Sequence, residues 1–171
     1  MGMDVIGKKP SAPCGEYFRN NIWWWHPLWE YCHHVAPEIC EDVLGHTNDG
    51  DGLPADGARK LAEALRRELE NGNTAEYSRA YQADIDALSL EPCPYCESTG
   101  VRGDTVGVAL GMPRRELTDE QAERLGRTHG WCNGCGGEGA RQAWVASYYF
   151  DEANVKEFAE FLAHSGGFSI H

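Results

Sequence analysis

The sequence has few basic residues and lacks any long apolar run. Its 171 residues include 15 lysines and arginines against 27 aspartates and glutamates, which gives a formal charge of −12. A general nucleic-acid-binding protein needs cations that displace the counterions on phosphate, so this shortage of bases argues against that class. The mean hydropathy of −0.53 and the absence of a long apolar segment argue against a membrane-spanning helix.

Signals for export and for common enzyme classes are also missing. No charged segment followed by an apolar one opens the chain, so we expect a cytoplasmic, reducing location and no membrane attachment. The sequence contains no nucleophile, phosphate-loop or acid–base motif, and a non-enzymatic role is therefore favoured over catalysis. The seven cysteines are an odd number, which rules out complete disulfide pairing within the chain.

The most specific pattern in the sequence is a pair of CxxC motifs. Cys93 and Cys96 form the first, Cys132 and Cys135 form the second, and glycines follow each pair. Tetrahedral zinc prefers four thiolates at about 2.3 Å, and each CxxC turn directs two sulfurs to one point. A redox pair, core cysteines and disulfides are the alternatives, but two matched pairs favour one shared ion. We therefore predict one structural Zn²⁺, since four thiolates leave no coordination position for a substrate.

The residues around these cysteines resemble a known zinc-binding repeat. The second motif, CNGCGGEG, is similar to the CxxCxGxG repeat of the DnaJ cysteine-rich domain, and the first, CPYCESTG, differs from it by Ser98 in place of a glycine. The DnaJ domain has four repeats and two zinc ions, so two repeats imply one zinc held by Cys93, Cys96, Cys132 and Cys135. The chain lacks the HPD tripeptide of a J-domain, so the resemblance implies no chaperone activity. The remaining layout is similar to small uncharacterised proteins of bacteria and their phages.

A polar loop at residues 45–53 is a second candidate site. His46, Asp49 and Asp51 supply imidazole and carboxylate groups that suit a divalent cation or a metal-dependent hydrolase. The loop does not fit the EF-hand template, because Thr47 and Ala58 occupy the places of both key carboxylates. The simpler interpretation is a polar turn before a helix, where acidic side chains favour the positive helix end. The hydrolase stays an alternative that depends on ligands from other segments.

Three cysteines fall outside the CxxC pairs. Cys32 and Cys40 lie near His33 and His34, and Cys14 lies upstream of them. A second metal site or a reactive thiol is one interpretation. The other is that Cys32 and Cys40 are small core residues. The sequence leaves this choice open.

Two segments are candidate partner surfaces. Trp23 and Trp24 belong to a run of three tryptophans that cannot all face one core, so we expect some of them to pack elsewhere or to contact a partner. Arg114 and Arg115 belong to an arginine-bearing segment, residues 102–141, in which acidic residues interleave with the bases. Mixed charge is typical of an ordinary solvated surface, so nucleic-acid binding through this segment is an alternative and not the leading expectation.

Apolar periodicity and helix signals predict an α+β fold. Leu61 and Leu65 repeat with helical spacing, and Thr118 with Gln121 forms a capping box for a short helix. Alternating residues at 106–110 and apolar residues at 143–150 each predict a strand. We expect the helical N-terminal half and a C-terminal strand–helix element to pack on the same core, with the zinc-knuckle insert between them. The predicted boundaries are an irregular N-terminal arm at 1–21, a helical region at 22–92, a zinc-knuckle module with an inserted strand and helix at 93–142, and the strand–helix element at 143–171.

These features together predict a zinc-stabilised, non-enzymatic binding or adaptor protein of bacterial or phage origin. The site with the strongest pattern is coordinatively closed, which favours a structural role, and the tryptophan and arginine segments offer surfaces for a protein partner. The alternatives are a metal-dependent hydrolase that uses His46, Asp49 and Asp51, and nucleic-acid binding through residues 102–141.

Overall fold

Helices and short strands are interspersed along the chain in the computed structural model, which describes residues 2–171. The helices are α1 (Ile22–Val35), α2 (Pro37–Cys40), α3 (Ala55–Glu70), α4 (Asn73–Asp86), α5 (Thr105–Ala109), α6 (Asp119–Leu125) and α7 (Glu152–Ser165). The strands are β1 (Gly2–Gly7), β2 (Tyr17–Asn21), β3 (Glu91–Pro92), β4 (Ala140–Arg141) and β5 (Phe168–Ile170). This mixture confirms the predicted α+β class. Within the described residues, no helix is both long and apolar enough to cross a membrane.

The chain divides into two compact units. The first unit comprises the residues up to Asp86 together with Ser147–His171, and the second comprises Ala87–Ala146. Helices α1 to α4, helix α7 and a three-stranded sheet belong to the first unit, whereas α5, α6 and the strand pair β3–β4 belong to the second. The C-terminal helix therefore shares a unit with the N-terminal helices.

The sheet of the first unit is antiparallel, with strand order β2-β1-β5. Val5 in the central strand pairs with Phe18 of β2 and with Ile170 of β5, and all three side chains are buried. Two strands thus form within residues 1–21, where the sequence predicted an irregular arm. The reason is a short period-two pattern in which Met3 and Val5 face the core, while the breaker-rich stretch after β1 connects the strands.

Three helices supply most of the core of the first unit. Leu61 and Leu65, which the sequence placed on one face of α3, are fully buried, and α7 packs against that helix. Helix α1 contributes Trp25 and Trp29, whose rings stack with centroids 5.7 Å apart. The Trp25 ring also meets Phe158 of α7 edge-on at 5.5 Å. Helix α1 therefore packs against α7 through aromatic side chains.

Helix α1 contains Pro27 in its interior. Proline has no N–H, so the carbonyl of Trp23, four residues earlier, loses its helical donor. The backbone N–H of Tyr149 donates to that carbonyl at 2.9 Å and replaces the missing bond. At the start of the helix, the Asn21 side chain accepts hydrogen bonds from the Trp23 and Trp24 N–H groups at 3.0 and 3.2 Å. These contacts let one helix of 14 residues continue past the proline.

The second unit has helix α5 where the alternation at residues 106–110 predicted a strand. The Asp104 side chain caps this helix by accepting a hydrogen bond from the Gly107 N–H at 2.7 Å. The three apolar residues of the pattern are all exposed, so their alternation does not mark a buried face. Helix α6 begins at the predicted capping box.

Residues 143–150 do not form the predicted strand either. A 3-10 turn spans Trp144–Ser147. The aromatic residues that follow it pack on helices: the Tyr148 ring lies 5.2 Å from Trp23, and the Phe150 ring lies 5.0 Å from Tyr31. Ring packing against α1 thus takes the place of sheet pairing in this segment.

Candidate metal centre

Four cysteine sulfurs converge in the second unit. The Sγ atoms of Cys93, Cys96, Cys132 and Cys135 all lie within 4.8 Å of one another. Cys93 and Cys132 are 3.8 Å apart at sulfur, and Cys96 and Cys135 are 3.7 Å apart. Four sulfurs about 2.3 Å from a central ion form a tetrahedron with edges of about 3.8 Å, and a disulfide would need about 2.05 Å. The cluster therefore has the spacing of ligands around one metal ion.

The two CxxC turns have matching backbone geometry. The Gly100 N–H donates to the Cys96 sulfur at 3.3 Å, and the Gly139 N–H donates to the Cys135 sulfur at 3.2 Å. Each donor is four residues after the sulfur it contacts. Hydrogen bonds to sulfur stabilise its anionic form, so both turns favour the thiolate that a metal needs.

Left-handed backbone conformations explain the glycines of the motif. Gly136 and Gly137 have φ of 60° and 85°, and the matching residues of the first turn, Glu97 and Ser98, have φ of 48° and 67°. A residue with a Cβ adopts this region at a cost, so the departure of Ser98 from the glycine pattern strains the first turn but does not change its path. A Cβ on Gly139 would overlap the Ser98 carbonyl oxygen.

Arg127 links the two turns. Its Nη2 donates to the carbonyl oxygen of Gly100 at 3.0 Å and to that of Gly137 at 2.8 Å. The Cys93 N–H also donates to the Gly139 carbonyl at 2.9 Å, next to the strand pair β3–β4. Because these bonds join residues far apart in sequence, they hold the two cysteine pairs together.

The thiols of the cluster do not ionise equally. Burial raises the pKa of Cys132 to about 12 and also raises the pKa of Cys96. Burial opposes ionisation of Cys93 as well, but hydrogen bonds from the Tyr95 N–H and the neighbouring thiols lower its pKa. A bound cation would stabilise all four thiolates, so metal binding expels protons here and acid opposes it.

The loop residues His46, Asp49 and Asp51 do not gather around a common point. Within residues 2–171, their possible ligand atoms do not all lie within 4.8 Å of one another, as those of a metal site would. The Asp51 carboxylate accepts hydrogen bonds from two backbone N–H groups, at 2.7 and 2.8 Å, and these bonds lower its pKa. The His46 ring meets the His26 ring edge-on at 4.3 Å. Asp51 therefore shapes the turn through these two backbone hydrogen bonds.

The three remaining cysteines lie in two different environments. Cys32 and Cys40 are fully buried in the core of the first unit, and burial raises the pKa of both thiols, that of Cys40 to about 12. Cys14 is exposed, and its sulfur lies within 4.8 Å of ligand atoms of Glu160 and His164. Sequence reasoning missed this second group. Its one local signal is the i, i+4 spacing of the glutamate and histidine on α7.

The predicted tryptophan surface is partly covered. Trp23 and Trp24 are half-buried, and their rings lie 5.2 Å from Tyr148 and 5.5 Å from Tyr149. The two tryptophans that could not share one core with Trp25 therefore pack against these tyrosines. They leave part of each ring exposed to solvent.

The arginines of residues 102–141 are largely engaged within the second unit. The Arg102 Nε bonds Asp104 Oδ1 at 2.9 Å, and the Arg115 guanidinium lies 4.6 Å from the centroid of Trp131. Arg124 pairs with a glutamate, Glu138, and Arg114 is exposed. The arginines thus act mostly in ion pairs and ring contacts inside the unit.

Comparisons with known proteins identify no relative of this chain. No protein-family model, no curated protein and no solved structure matches the chain. The site consists of four cysteines, three of them buried, that could hold one metal ion.

Proposed function

We propose that the chain is a zinc-stabilised, non-enzymatic binding or adaptor protein that engages a protein partner. One observation carries the proposal: four cysteine sulfurs, three of them on buried residues, lie within 4.8 Å of one another. A metal with four thiolate ligands has no position left for substrate or water, so its role is structural.

The donor set favours Zn²⁺. Four thiolates in a tetrahedron are soft ligands that suit zinc or an iron–sulfur centre, and zinc has no geometric preference that the cluster would oppose. The two CxxC turns support zinc knuckles of the DnaJ type, with one ion for two repeats. Iron would colour the protein, so metal analysis and an absorption spectrum separate the two metals.

The second unit has little else that could stabilise it. Its buried apolar side chains, apart from the cysteines, are Leu117 and Ala143 among the described residues. A structural zinc contributes roughly 10–16 kcal/mol in isolated zinc-finger peptides, which is as large as the net stability of a domain. Zinc would thus replace a hydrophobic core.

Exposed apolar side chains on and beside α5 support a protein partner. Val106, Val108 and Leu110 are 52%, 60% and 58% exposed. Several large apolar side chains exposed within five residues are a feature of sites where another protein binds. The formal charge of −12 disfavours phosphate polymers as the partner. We place the partner surface at these residues in preference to Trp23 and Trp24, whose rings are partly covered.

We further infer a cytoplasmic location in a bacterium or its phage. Seven free cysteines support a reducing compartment, where thiolates stay available for metal. The similarity of the sequence layout to small bacterial and phage proteins supports the origin.

Metal analysis of the purified protein tests the structural site. We expect about one zinc per chain in the tight site, and Cys132→Ser should lose that zinc together with the fold of the second unit. A metal-free wild-type protein with a folded second unit would overturn the proposal.

A paired capture experiment tests the partner surface. Wild-type protein and Val108→Asp are used as bait in a lysate of the source organism, with Leu44→Asp as the control, since Leu44 is exposed in the first unit. The proposal requires a protein that Val108→Asp loses and Leu44→Asp keeps. Retention on heparin that falls steeply with salt would instead support the nucleic-acid alternative.

A further inference from the structure

A second group of metal-ligating side chains lies in the first unit. Ligand atoms of Cys14, Glu160 and His164 all lie within 4.8 Å of one another. Cys14 belongs to a 3-10 turn at Pro13–Gly15, and the other two residues lie one turn apart on α7. The i, i+4 spacing places the carboxylate and the imidazole on the same face of the helix.

The turn that carries the cysteine is fixed against the end of α7. The Ser11 N–H donates to the His164 carbonyl oxygen at 2.8 Å. Gly15 is buried, and a Cβ there would overlap the His164 backbone, so the turn and the helix are in direct contact. The position of Cys14 beside the helix is therefore set by the backbone and not by a flexible loop.

The histidine is oriented as a metal ligand needs to be. Its Nδ1 lies 3.1 Å from the Ser11 Oγ, and its Nε2 lies 3.3 Å from Glu160 Oε1. A hydrogen bond at one ring nitrogen fixes the tautomer and the orientation of the ring, which is how metal-bound histidines are commonly held. The nitrogen that faces the carboxylate is then the one available to a cation.

The glutamate is held in a similar way. Arg66 Nη2 pairs with Glu160 Oε2 at 2.6 Å, which leaves Oε1 on the side of His164. A thiolate, a carboxylate and a neutral imidazole together carry two negative charges, which match one divalent cation.

We propose that Cys14, Glu160 and His164 form a second Zn²⁺ site with an open coordination position. Sulfur, nitrogen and oxygen donors in one set are typical of zinc, and ligands at about 2.0–2.3 Å from an ion need only small side-chain rotations from the present spacing. Three protein ligands leave the fourth position of a tetrahedron to water or to an external ligand. This site differs from the four-cysteine cluster in both exposure and coordination, and the proposal does not depend on the role of that cluster.

Cobalt titration of the zinc-loaded protein tests the second site. Protein that retains one tightly bound zinc per chain is titrated with Co²⁺, which binds less tightly than zinc and so does not displace it. We expect an absorption band from charge transfer between the Cys14 thiolate and cobalt, and one added metal per chain. Cys14→Ser should abolish the band and weaken binding at least about 100-fold, while it keeps the first zinc.

Variants of α7 distinguish the loss of a metal ligand from the effect of changing the charge of the helix. Glu160→Gln and His164→Ala should weaken cobalt binding, whereas Glu157→Gln, an exposed residue of α7 outside the group, should not. Cys14 is exposed, so its serine variant should keep the wild-type circular dichroism spectrum. The absence of a band in the wild type, or a band that survives in Cys14→Ser, would overturn the proposal. A band that Cys132→Ser alone removes would belong to the four-cysteine cluster.

Discussion

The two units of this protein differ in the side chains that they bury. The first unit has a continuous core of large side chains, and those that are fully buried include Trp25, Trp29, Phe158, Phe161 and Phe168. In the second unit, the buried cluster among the described residues consists of cysteines. The charge differs as well: the first unit has 19 acidic and 9 basic residues, and the second has 8 and 6.

This difference follows from how much apolar surface each segment can bury. A short segment buries too small a share of its surface to offset the conformational entropy of folding, so it needs a metal or a covalent link. Two CxxC turns that could hold one metal ion would meet that need with few residues. The rest of the second unit is then free to expose apolar side chains such as Val108 without loss of a core.

Removal of the metal should have the largest effect, and it should be confined to the second unit. We expect a strong chelator, or Cys132→Ser, to unfold residues 87–146, because the proposed ion would supply on the order of 10 kcal/mol to a unit with few buried apolar side chains. The first unit should stay folded. Backbone amide NMR spectra and limited proteolysis would show disorder and new cleavage in the second unit alone.

A thiol outside the cluster provides the control for this experiment. Cys14→Ser should keep the tight zinc and the NMR signals of the second unit. Unfolding of the first unit together with the second on chelation would contradict the comparison, since it would mean that both units depend on the ion.

Truncation of the aromatic core should have the next largest effect, in the first unit. Phe158 is fully buried and its ring lies 5.1 Å from Phe18 and 5.5 Å from Trp25. Phe158→Ala should lower the free energy of unfolding by about 3–5 kcal/mol, because it leaves a cavity among these rings. Urea unfolding followed by tryptophan fluorescence measures the loss. The variant should keep its zinc, and Leu44→Ala, at an exposed position, should stay within about 0.5 kcal/mol of wild type.

A smaller effect should come from Gly139 in the second CxxC turn, for which Gly126 at the end of α6 is the control. Gly139 and Gly126 both have positive φ, at 81° and 66°, but a Cβ on Gly139 would overlap the Ser98 carbonyl whereas Gly126 has open space. Both alanine variants carry the left-handed strain of about 1–2 kcal/mol. Gly139→Ala should lose more, and it should also weaken zinc binding in a competition assay with a chelator. Equal losses for the two variants would show that the contact with Ser98 has no role in holding the ion.

Local patterns in the sequence predicted several parts of this structure. The CxxC spacing places two sulfurs in one turn, and the two matched turns predicted the cluster of Cys93, Cys96, Cys132 and Cys135 that the structure shows. Helical periodicity predicted the buried face of α3, and the capping box at Thr118 predicted the start of α6. Each of these signals lies within a few residues, although the meeting of the two CxxC turns depends on contacts between distant residues.

Features that depend on distant contacts were missed or predicted wrongly. The partner of strand β1 on one side is β5, from the other end of the chain, so the residues around Val5 do not indicate this pairing. The alternation around Val108 suggested a strand, but no neighbouring strand pairs with it among the described residues, and a capped helix forms instead. Cys14 meets Glu160 and His164 only because the fold brings both ends of the chain together.

Two histidines of the first unit should make its stability depend on pH. Burial lowers the pKa of both His26 and His46 from the ordinary value of 6.5, and their rings lie 4.3 Å apart. The folded state therefore binds fewer protons than the unfolded state as the pH falls below about 6.5. Well above that pH, from about 7.5 upward, both rings are mostly neutral in both states, so this contribution to stability no longer changes with pH.

The expected result is a fall in the urea midpoint of the first unit as the pH decreases from 7.5 to 5.5. This effect should be smaller than those of metal removal, Phe158→Ala and Gly139→Ala. Both rings keep some contact with solvent, which lowers the cost of protonating them in the folded state. The double variant His26→Gln/His46→Gln should flatten the pH dependence, while His171→Gln, at an exposed terminal position, should retain it. Signals of the first unit are followed by NMR and zinc content is checked at each pH, because acid also opposes metal binding in the second unit. A midpoint that falls equally in wild type and in the double variant would show that the histidine pair is not the source, and the pH response would then belong to other groups of the first unit.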